Sequence, residues 1–195
     1  MMEKSGKALI EALLFASSKP VTADILQEIT GLSGETVRET LVALAGEFDA
    51  EDRGIALKEV AGGFQIRTRP EFSEQISAMY RSRPRRRLSR SSLEALAIVA
   101  YRQPVTRSEI ENIRGVDSGA VMKTLLVQGM IRILGRKESP GRPMLFGTTR
   151  DFLEYFELRD IESLPSLEEI ADLGEIGPPE GESSPGSGLP TPGSG

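Results

Sequence analysis

Residues 93–128 read LEALAIVAYRQPVTRSEIENIRGVDSGAVMKTLLVQ, and a shift of 84 residues lays them over residues 9–44, LIEALLFASSKPVTADILQEITGLSGETVRETLVAL. Ten of the 36 aligned positions are identical. The identical pairs are Leu9/Leu93, Ala16/Ala100, Pro20/Pro104, Val21/Val105, Thr22/Thr106, Ile29/Ile113, Gly31/Gly115, Val37/Val121, Thr40/Thr124 and Leu41/Leu125. Because several of these are residue types that begin or end helices, the chain contains an internal repeat of one structural unit.

Each copy predicts three helices. Apolar residues at helical spacing from Leu93 predict the first, which Pro104 ends. Thr106 is expected to cap the second helix and to form a capping box with Glu109, while Gly115 supplies its left-handed C-terminal residue. Pro20, Thr22 and Gly31 have the same roles in the first copy, except that Ile25 replaces the glutamate of the capping box. Ser33 and Asp117 are expected to cap the third helices.

Two strands should follow the third helix in each copy. GIALKEVAGGFQIRT predicts strands around a Gly62-Gly63 turn, whereas IRILGR and PMLFGT flank the loop KESPGR, residues 137–142. Three helices and a hairpin are typical of a winged helix-turn-helix. We therefore predict a mainly α chain with β-hairpin wings (α+β). Its parts are a first winged-helix domain over 1–80, an arginine-rich linker over 81–92, a second winged-helix domain with C-terminal helices over 88–173, and a tail over 174–195.

Composition removes most catalytic classes. The 195 residues include no cysteine and no histidine, which excludes disulfides, cysteine-ligated zinc and the serine- or cysteine-histidine mechanisms. A carboxylate enzyme is the one remaining class, but the acidic residues lie at predicted caps and on the surface. We predict no enzyme, no cofactor and no metal. Apolar runs stop well short of the ~20 residues of a membrane span, so a cytoplasmic protein without membrane contact is expected.

Charge is strongly segregated along the chain. Residues 1–80 carry a net charge of −5, residues 81–150 of +10 and residues 151–195 of −10, which together make the overall −5. The basic stretch YRSRPRRRLSRSS includes Arg85, Arg86 and Arg87, and either binds DNA weakly without sequence preference or serves as an extended spacer. Seven glycines and five prolines among the last 22 residues predict a disordered tail.

The predicted third helices are poor DNA readers. The first offers Arg38 between Glu35 and Glu39, whose carboxylates would face phosphates, and the second offers only Lys123 and Gln128. The wing residues Arg136, Lys137 and Arg142 either contact phosphates or lie in water. A winged-helix transcription regulator is therefore kept as the alternative function.

The first helices are apolar on nearly every side, which predicts a second contact beyond their own core. Either another subunit or the chain's own hairpin and following helix covers it. We place a homodimer contact at or near Ile10, Leu14 and Phe15. After the second wing, Thr149 should cap a helix carrying Phe152, Tyr155 and Phe156, with the two phenylalanines inward and the tyrosine exposed. A further helix capped by Ser166 and Glu169 would present Leu167, Ile170 and Leu173.

The motifs AYRQPVTR, IRGV, GRPMLFGTT and SLPSLEEI closely resemble the segregation and condensation protein B (ScpB) family. The resemblance is dense over residues 88–170 and looser over 1–80. It implies a non-enzymatic accessory subunit of the bacterial SMC condensin-like complex, which forms homodimers through its first domain and binds the kleisin ScpA, and through it SMC, largely through its second. It thus implies a nucleoid-associated role in chromosome condensation and segregation during cell division.

The resemblance does not place individual kleisin contacts. Pro104, Thr106, Gly115 and Gly141 have complete structural explanations. Arg102, Arg114 and Arg142 lack one, and we therefore expect them, together with Tyr155, to contact the kleisin.

Overall fold

The computed structural model describes residues 2–50, 52–79, 88–166 and 168–169. By contacts, the chain divides into two compact units, residues 1–163 and 164–195. The first unit contains both copies of the repeat, here called the first and second modules. Three predictions concern residues outside the described ranges: those on Arg85, Arg86 and Arg87, on Leu167, Ile170 and Leu173, and on the tail from residue 174.

The first module contains three helices and a hairpin. Helices α1 (Met2–Ala16), α2 (Ala23–Thr30) and α3 (Gly34–Phe48) precede strands β1 (Ile55–Val60) and β2 (Gly63–Thr68). Val21 pairs with Phe64 beside the hairpin. The core consists of apolar side chains from all three helices, including Ile10, Leu14, Leu26, Leu41 and Phe48. A 3-10 turn (Pro70–Phe72) and α4 (Ser73–Met79) follow.

The second module repeats this order. Helix α5 (Arg90–Arg102), strand β3 (Val105–Thr106), α6 (Arg107–Arg114) and α7 (Gly119–Val127) lead to β4 (Ile131–Arg136) and β5 (Met144–Thr148). Strand β5 lies between β3 and β4, and Val105 pairs with Phe146 as Val21 pairs with Phe64. Helix α8 (Arg150–Tyr155) and a 3-10 turn (Ile161–Ser163) follow. The predicted fold class is confirmed, and both modules are consistent with winged helices.

The predicted helix ends are largely confirmed. Thr22 and Ser33 cap α2 and α3, and Thr106 with Glu109 forms the capping box of α6. Gly31 and Gly115 end α2 and α6 in the left-handed conformation, with φ of 69° and 70°. The cap of α7 lies one residue later than predicted, because Ser118 occupies the cap position while the Asp117 carboxylate accepts the Gly119 N–H at 2.9 Å.

Two predicted boundaries are wrong. The hairpin turn consists of Ala61 and Gly62, with φ of 51° and 67°, and Gly63 already belongs to β2. The predicted linker over 81–92 extends too far, since α5 begins at Arg90 with Ser89 as its cap. The Ser89 hydroxyl accepts the Ser92 N–H, and this local hydrogen bond favours a helix over a continued linker.

Helix α8 and the residues after it pack against the first module. The turn N–H groups of Ala61 and Gly62 donate to the carbonyls of Leu158 and Arg159 at 2.8 and 2.9 Å. The Arg67 guanidinium pairs with Glu157 and donates to the Glu154 carbonyl. These contacts form a seam between the modules, and they are partly made by backbone groups that a sequence pattern does not reveal.

Candidate partner-binding surfaces

A groove lies beside the end of α1 and the start of α2, and we call it the first groove. It has a volume of about 540 Å³. The residues that line it are Leu13, Ala16, Ser17, Lys19, Pro20, Val21, Ile25, Ile29, Arg150 and Glu154. Arg150 and Glu154 belong to α8, and the Arg150 guanidinium donates to the Pro20 carbonyl at 3.2 Å. One wall of the first groove is therefore supplied by the second module.

The second module has a groove at the corresponding place, which we call the second groove. It has a volume of about 420 Å³, and its lining residues are Arg102, Pro104, Val105, Glu109, Asn112 and Ile113. Four of these correspond to lining residues of the first groove under the 84-residue shift: Pro104 to Pro20, Val105 to Val21, Glu109 to Ile25 and Ile113 to Ile29.

Glu109 is the acidic group of the second groove, and its carboxylate is fully engaged. Lys137 on the wing donates to it at 2.6 Å, and the Thr106 N–H and hydroxyl donate at 2.8 and 2.9 Å. Lys137 and Thr106 together lower the pKa of Glu109 from 4.5 to about 2. The same ion pair ties the wing to the start of α6.

The residues expected to contact the kleisin have separate locations. Arg102 is exposed, lines the second groove, and its guanidinium has no partner among the described residues. Arg142 is exposed in the wing loop, where its carbonyl accepts a hydrogen bond from Arg136. Tyr155 is 45% exposed on α8. Among the described residues, the lining of the second groove includes neither Arg142 nor Tyr155.

Arg114 has a structural role that the sequence did not reveal. Its side chain is only 6% exposed, and it donates to the hydroxyls of Ser118 and Ser91, each at 2.7 Å. It also lies 3.5 Å from the Glu94 carboxylate. Arg114 therefore joins α5, α6 and the start of α7, and we correct its assignment as a partner contact, because a buried guanidinium is inaccessible to a partner.

Two of the three residues placed at the dimer contact are buried in the first module. Ile10 is 0% and Leu14 1% exposed, whereas Phe15 is 80% exposed. The apolar stripe of α1 that contains Ile10 and Leu14 thus covers the core of its own module. Of the three, only Phe15 is available to a second subunit.

The position of Phe156 also differs from its prediction. Phe152 is buried and Tyr155 is exposed, as expected, but Phe156 is 39% exposed. Helix α8 ends at Tyr155, so Phe156 occupies its C-cap and does not continue the buried row. Its ring contacts both Phe152 and Tyr155, with centroids 4.9 and 5.0 Å away.

The exposed side chains of the third helices, α3 and α7, are poorly suited to reading DNA bases. Helix α3 exposes Glu35 and Glu39 around Arg38, and α7 exposes Lys123 beside Val127, which is 79% exposed. Lys137 on the wing is engaged by Glu109. Neither third helix combines the arginine, lysine or amide side chains that base reading requires.

Sequence reasoning missed the exposed isoleucines of the two grooves. Ile29 is 55% and Ile113 56% exposed, and both line their grooves. They are one of the ten identical pairs of the repeat. The available signal was that neither a cap nor a turn explains this identity, whereas the pairs Val21/Val105 and Leu41/Leu125 are buried in both copies.

Within the residues that the structure describes, no cluster of acidic side chains is suited to a metal ion. In the same residues, no helix is both long and apolar enough to cross a membrane.

Comparison with known proteins shows similarity along most of the chain. Residues 8–167 match the family described as segregation and condensation complex subunit ScpB. The segregation and condensation protein B of Syntrophotalea carbinolica is 50% identical over 167 residues, covering 86% of this chain and 84% of that protein. The crystal structure of ScpB from Mycobacterium tuberculosis is 38% identical, covers 79% of this chain and 96% of that one, and has a TM-score of 0.40. A structure described as a dimer of the ScpB N-terminal domain complexed with ScpA peptide is 26% identical, covers 40% and 99% of the two chains, and has a TM-score of 0.38.

Proposed function

This chain belongs to the family of segregation and condensation complex subunit ScpB, and from that membership we propose that it is a non-enzymatic accessory subunit of the SMC–ScpA–ScpB complex. In this role it binds the kleisin ScpA as a homodimer, reaches SMC through ScpA, and acts on the nucleoid in chromosome condensation and segregation. The observation that carries the proposal is the family match over residues 8–167, which spans both modules and α8.

Kleisin binding is assigned to the second module with α8. The exposed cations Arg102 and Arg142 and the half-exposed Tyr155 are residue types enriched in interface hot spots. Arg102 supports the assignment most directly, because its guanidinium has no partner among the described residues. Homodimerisation is assigned to the first module, where Phe15 is an exposed aromatic side chain at the end of α1.

The test is binding of the full chain to its cognate ScpA. We expect the two proteins to co-elute from a sizing column, with the mass by light scattering giving two copies of this chain in the complex. Separate elution at micromolar concentrations would reject the proposed function.

Loss of a hot-spot side chain costs about 2 kcal/mol or more, so Arg142→Ala and Tyr155→Ala should each weaken ScpA binding at least ~30-fold. Both variants binding like the parent would place the contact elsewhere.

A weak DNA contact through Arg85, Arg86 and Arg87 is a second part of the proposal. The run of arginines without an acid between Glu74 and Glu94 favours it. Binding should be blind to sequence and should fall steeply between low and physiological salt. Replacing the three arginines by serine should abolish binding at low salt, and unchanged binding would make this stretch a spacer. A footprint that survives physiological salt would instead support a transcription regulator.

A further inference from the structure

The two grooves are one feature of the repeat, used differently in each module. Pro20, Val21 and Ile29 of the first groove correspond to Pro104, Val105 and Ile113 of the second. In both, the valine lies in the core while the isoleucine is more than half exposed. Each copy of the repeat therefore forms a groove with a buried valine and an exposed isoleucine at corresponding positions.

The first groove already has a helix against it. Arg150 and Glu154 of α8 line its wall, and the Arg150 guanidinium donates to the carbonyl of Pro20. Lys19, at the edge of the groove, lies 3.6 Å from the Asp151 carboxylate of the same helix. Polar and charged side chains of a helix therefore anchor at the proline end of this groove.

The second groove is lined, among the described residues, only by α5, β3, α6 and the Gln103–Val105 connection. Among the described residues, no helix lies against the second groove as α8 lies against the first. Ile113 is 56% exposed, and an apolar side chain of a partner placed on it would remove that surface from water.

The two grooves differ in charge where a partner would lie. Arg102 stands where the first copy has Ser18, and Glu109 where it has Ile25. The Glu109 carboxylate is already engaged by Lys137 and Thr106, whereas the Arg102 guanidinium has no partner among the described residues. The uncompensated charge of the second groove is therefore the positive charge of Arg102, which favours a partner that carries a carboxylate.

We propose that the second groove binds an amphipathic helix of ScpA that places an apolar side chain on Ile113 and a carboxylate on Arg102. This assignment rests on the proposed function, because it locates the contact with the kleisin on one face of the second module. A helix is the occupant because the equivalent groove of the first module has α8 at its wall. The interaction is helix-in-groove recognition with one charged anchor.

The experiment measures the affinity of the full chain for ScpA after changes in either groove. Ile113→Asp and Arg102→Glu change the second groove, and Ile29→Asp is the matched control, since Ile29 is the same residue at the same repeat position and is equally exposed. We expect the first two variants to weaken binding at least ~10-fold and Ile29→Asp to stay within about threefold of the parent. Because these side chains are exposed, all three variants should keep the parent's melting temperature.

A charge exchange identifies the anchor. Individual Glu→Lys and Asp→Lys substitutions in ScpA should include one that restores affinity for Arg102→Glu while weakening binding of the parent chain.

Each remaining outcome is decisive. If the parent binds ScpA and both second-groove variants bind equally well, the groove assignment is wrong and the proposed function stands. If Ile29→Asp is the variant that weakens binding, the first groove is the site and the assignment is again wrong. If the parent does not bind ScpA, the proposed function fails together with this inference.

Discussion

Glu109 shows how one side chain serves both a helix end and a tertiary contact. Its carboxylate completes the capping box with Thr106 and pairs with Lys137 on the wing, and these bonds lower its pKa from 4.5 to about 2. Because the pKa is lower in the folded state, the ionised carboxylate stabilises the fold at pH values above 4.5. That contribution falls as the pH drops from 4.5 towards 2.

Glu109→Gln should therefore lower the melting temperature at pH 7, with a difference that shrinks below pH 4.5 and is largely lost as the pH falls through 2. Thermal unfolding of parent and variant followed across this range measures the difference directly. Glu138→Gln in the exposed wing loop is the control, and it should leave the melting temperature unchanged at pH 7. A difference that stays constant down to pH 2 would show that the Glu109 charge does not stabilise the fold.

Arg114 is the opposite case, a cation enclosed by the fold. Arg114→Ala leaves the buried Ser118 hydroxyl without its donor, and losing such a partner costs about 1–3 kcal/mol of unfolding free energy. Urea unfolding should show this loss, while the affinity of the folded variant for ScpA stays that of the parent. Arg102→Ala is the control with the reverse pattern, normal stability and weaker ScpA binding. Normal stability in Arg114→Ala would refute the structural role.

At the scale of elements, backbone conformation decides what a glycine contributes. Gly46 lies inside α3 and Gly115 ends α6 at φ +70°, and a Cβ at either position would meet no atom within 4 Å. Both sites therefore have room for a Cβ, and they differ only in backbone conformation, which is helical at Gly46 and left-handed at Gly115. Alanine favours a helix interior over glycine by about 1 kcal/mol, whereas a left-handed backbone disfavours it by about 1–2 kcal/mol.

Gly46→Ala should therefore raise the unfolding free energy by up to about 1 kcal/mol, and Gly115→Ala should lower it by about 1–2 kcal/mol. Chemical denaturation of both variants beside the parent tests the pair. Equal effects with the same sign would contradict the assigned helix ends.

For the whole molecule, the apolar side chains that stay exposed after folding determine where a homodimer contact can form. Phe15 is 80% exposed, so Phe15→Glu should preserve the melting temperature but place a charge in the proposed dimer contact. Light scattering should show a shift from dimer to monomer. Val127→Glu, on the 79% exposed Val127 of the second module, should remain dimeric. A parent chain that is monomeric at all concentrations would reject the homodimer, and a dimeric Phe15→Glu would move the contact away from Phe15.

The features that depend on neighbours along the chain were predictable from the residues alone. Thr106 and Glu109 close a capping box across three residues, and Gly115 ends its helix because its own backbone must turn left-handed. Proline and threonine at the same offsets in both copies likewise predicted the order of helices and hairpins. These choices are local, because each is made by hydrogen bonds and steric limits within one or two turns.

Which of the predicted surfaces remain exposed depends on packing between residues that are distant in the sequence. Helical spacing shows that α1 is apolar on several sides but not which side faces its own core, and so Ile10 and Leu14 are buried while Phe15 is exposed. Arg114 has a structural role because its guanidinium donates to the hydroxyl of Ser91, which lies 23 positions away on another helix. Part of the seam between the modules consists of backbone hydrogen bonds from Ala61 to Leu158 and from Gly62 to Arg159. No side-chain pattern encodes these contacts, since every residue type except proline carries the N–H donor.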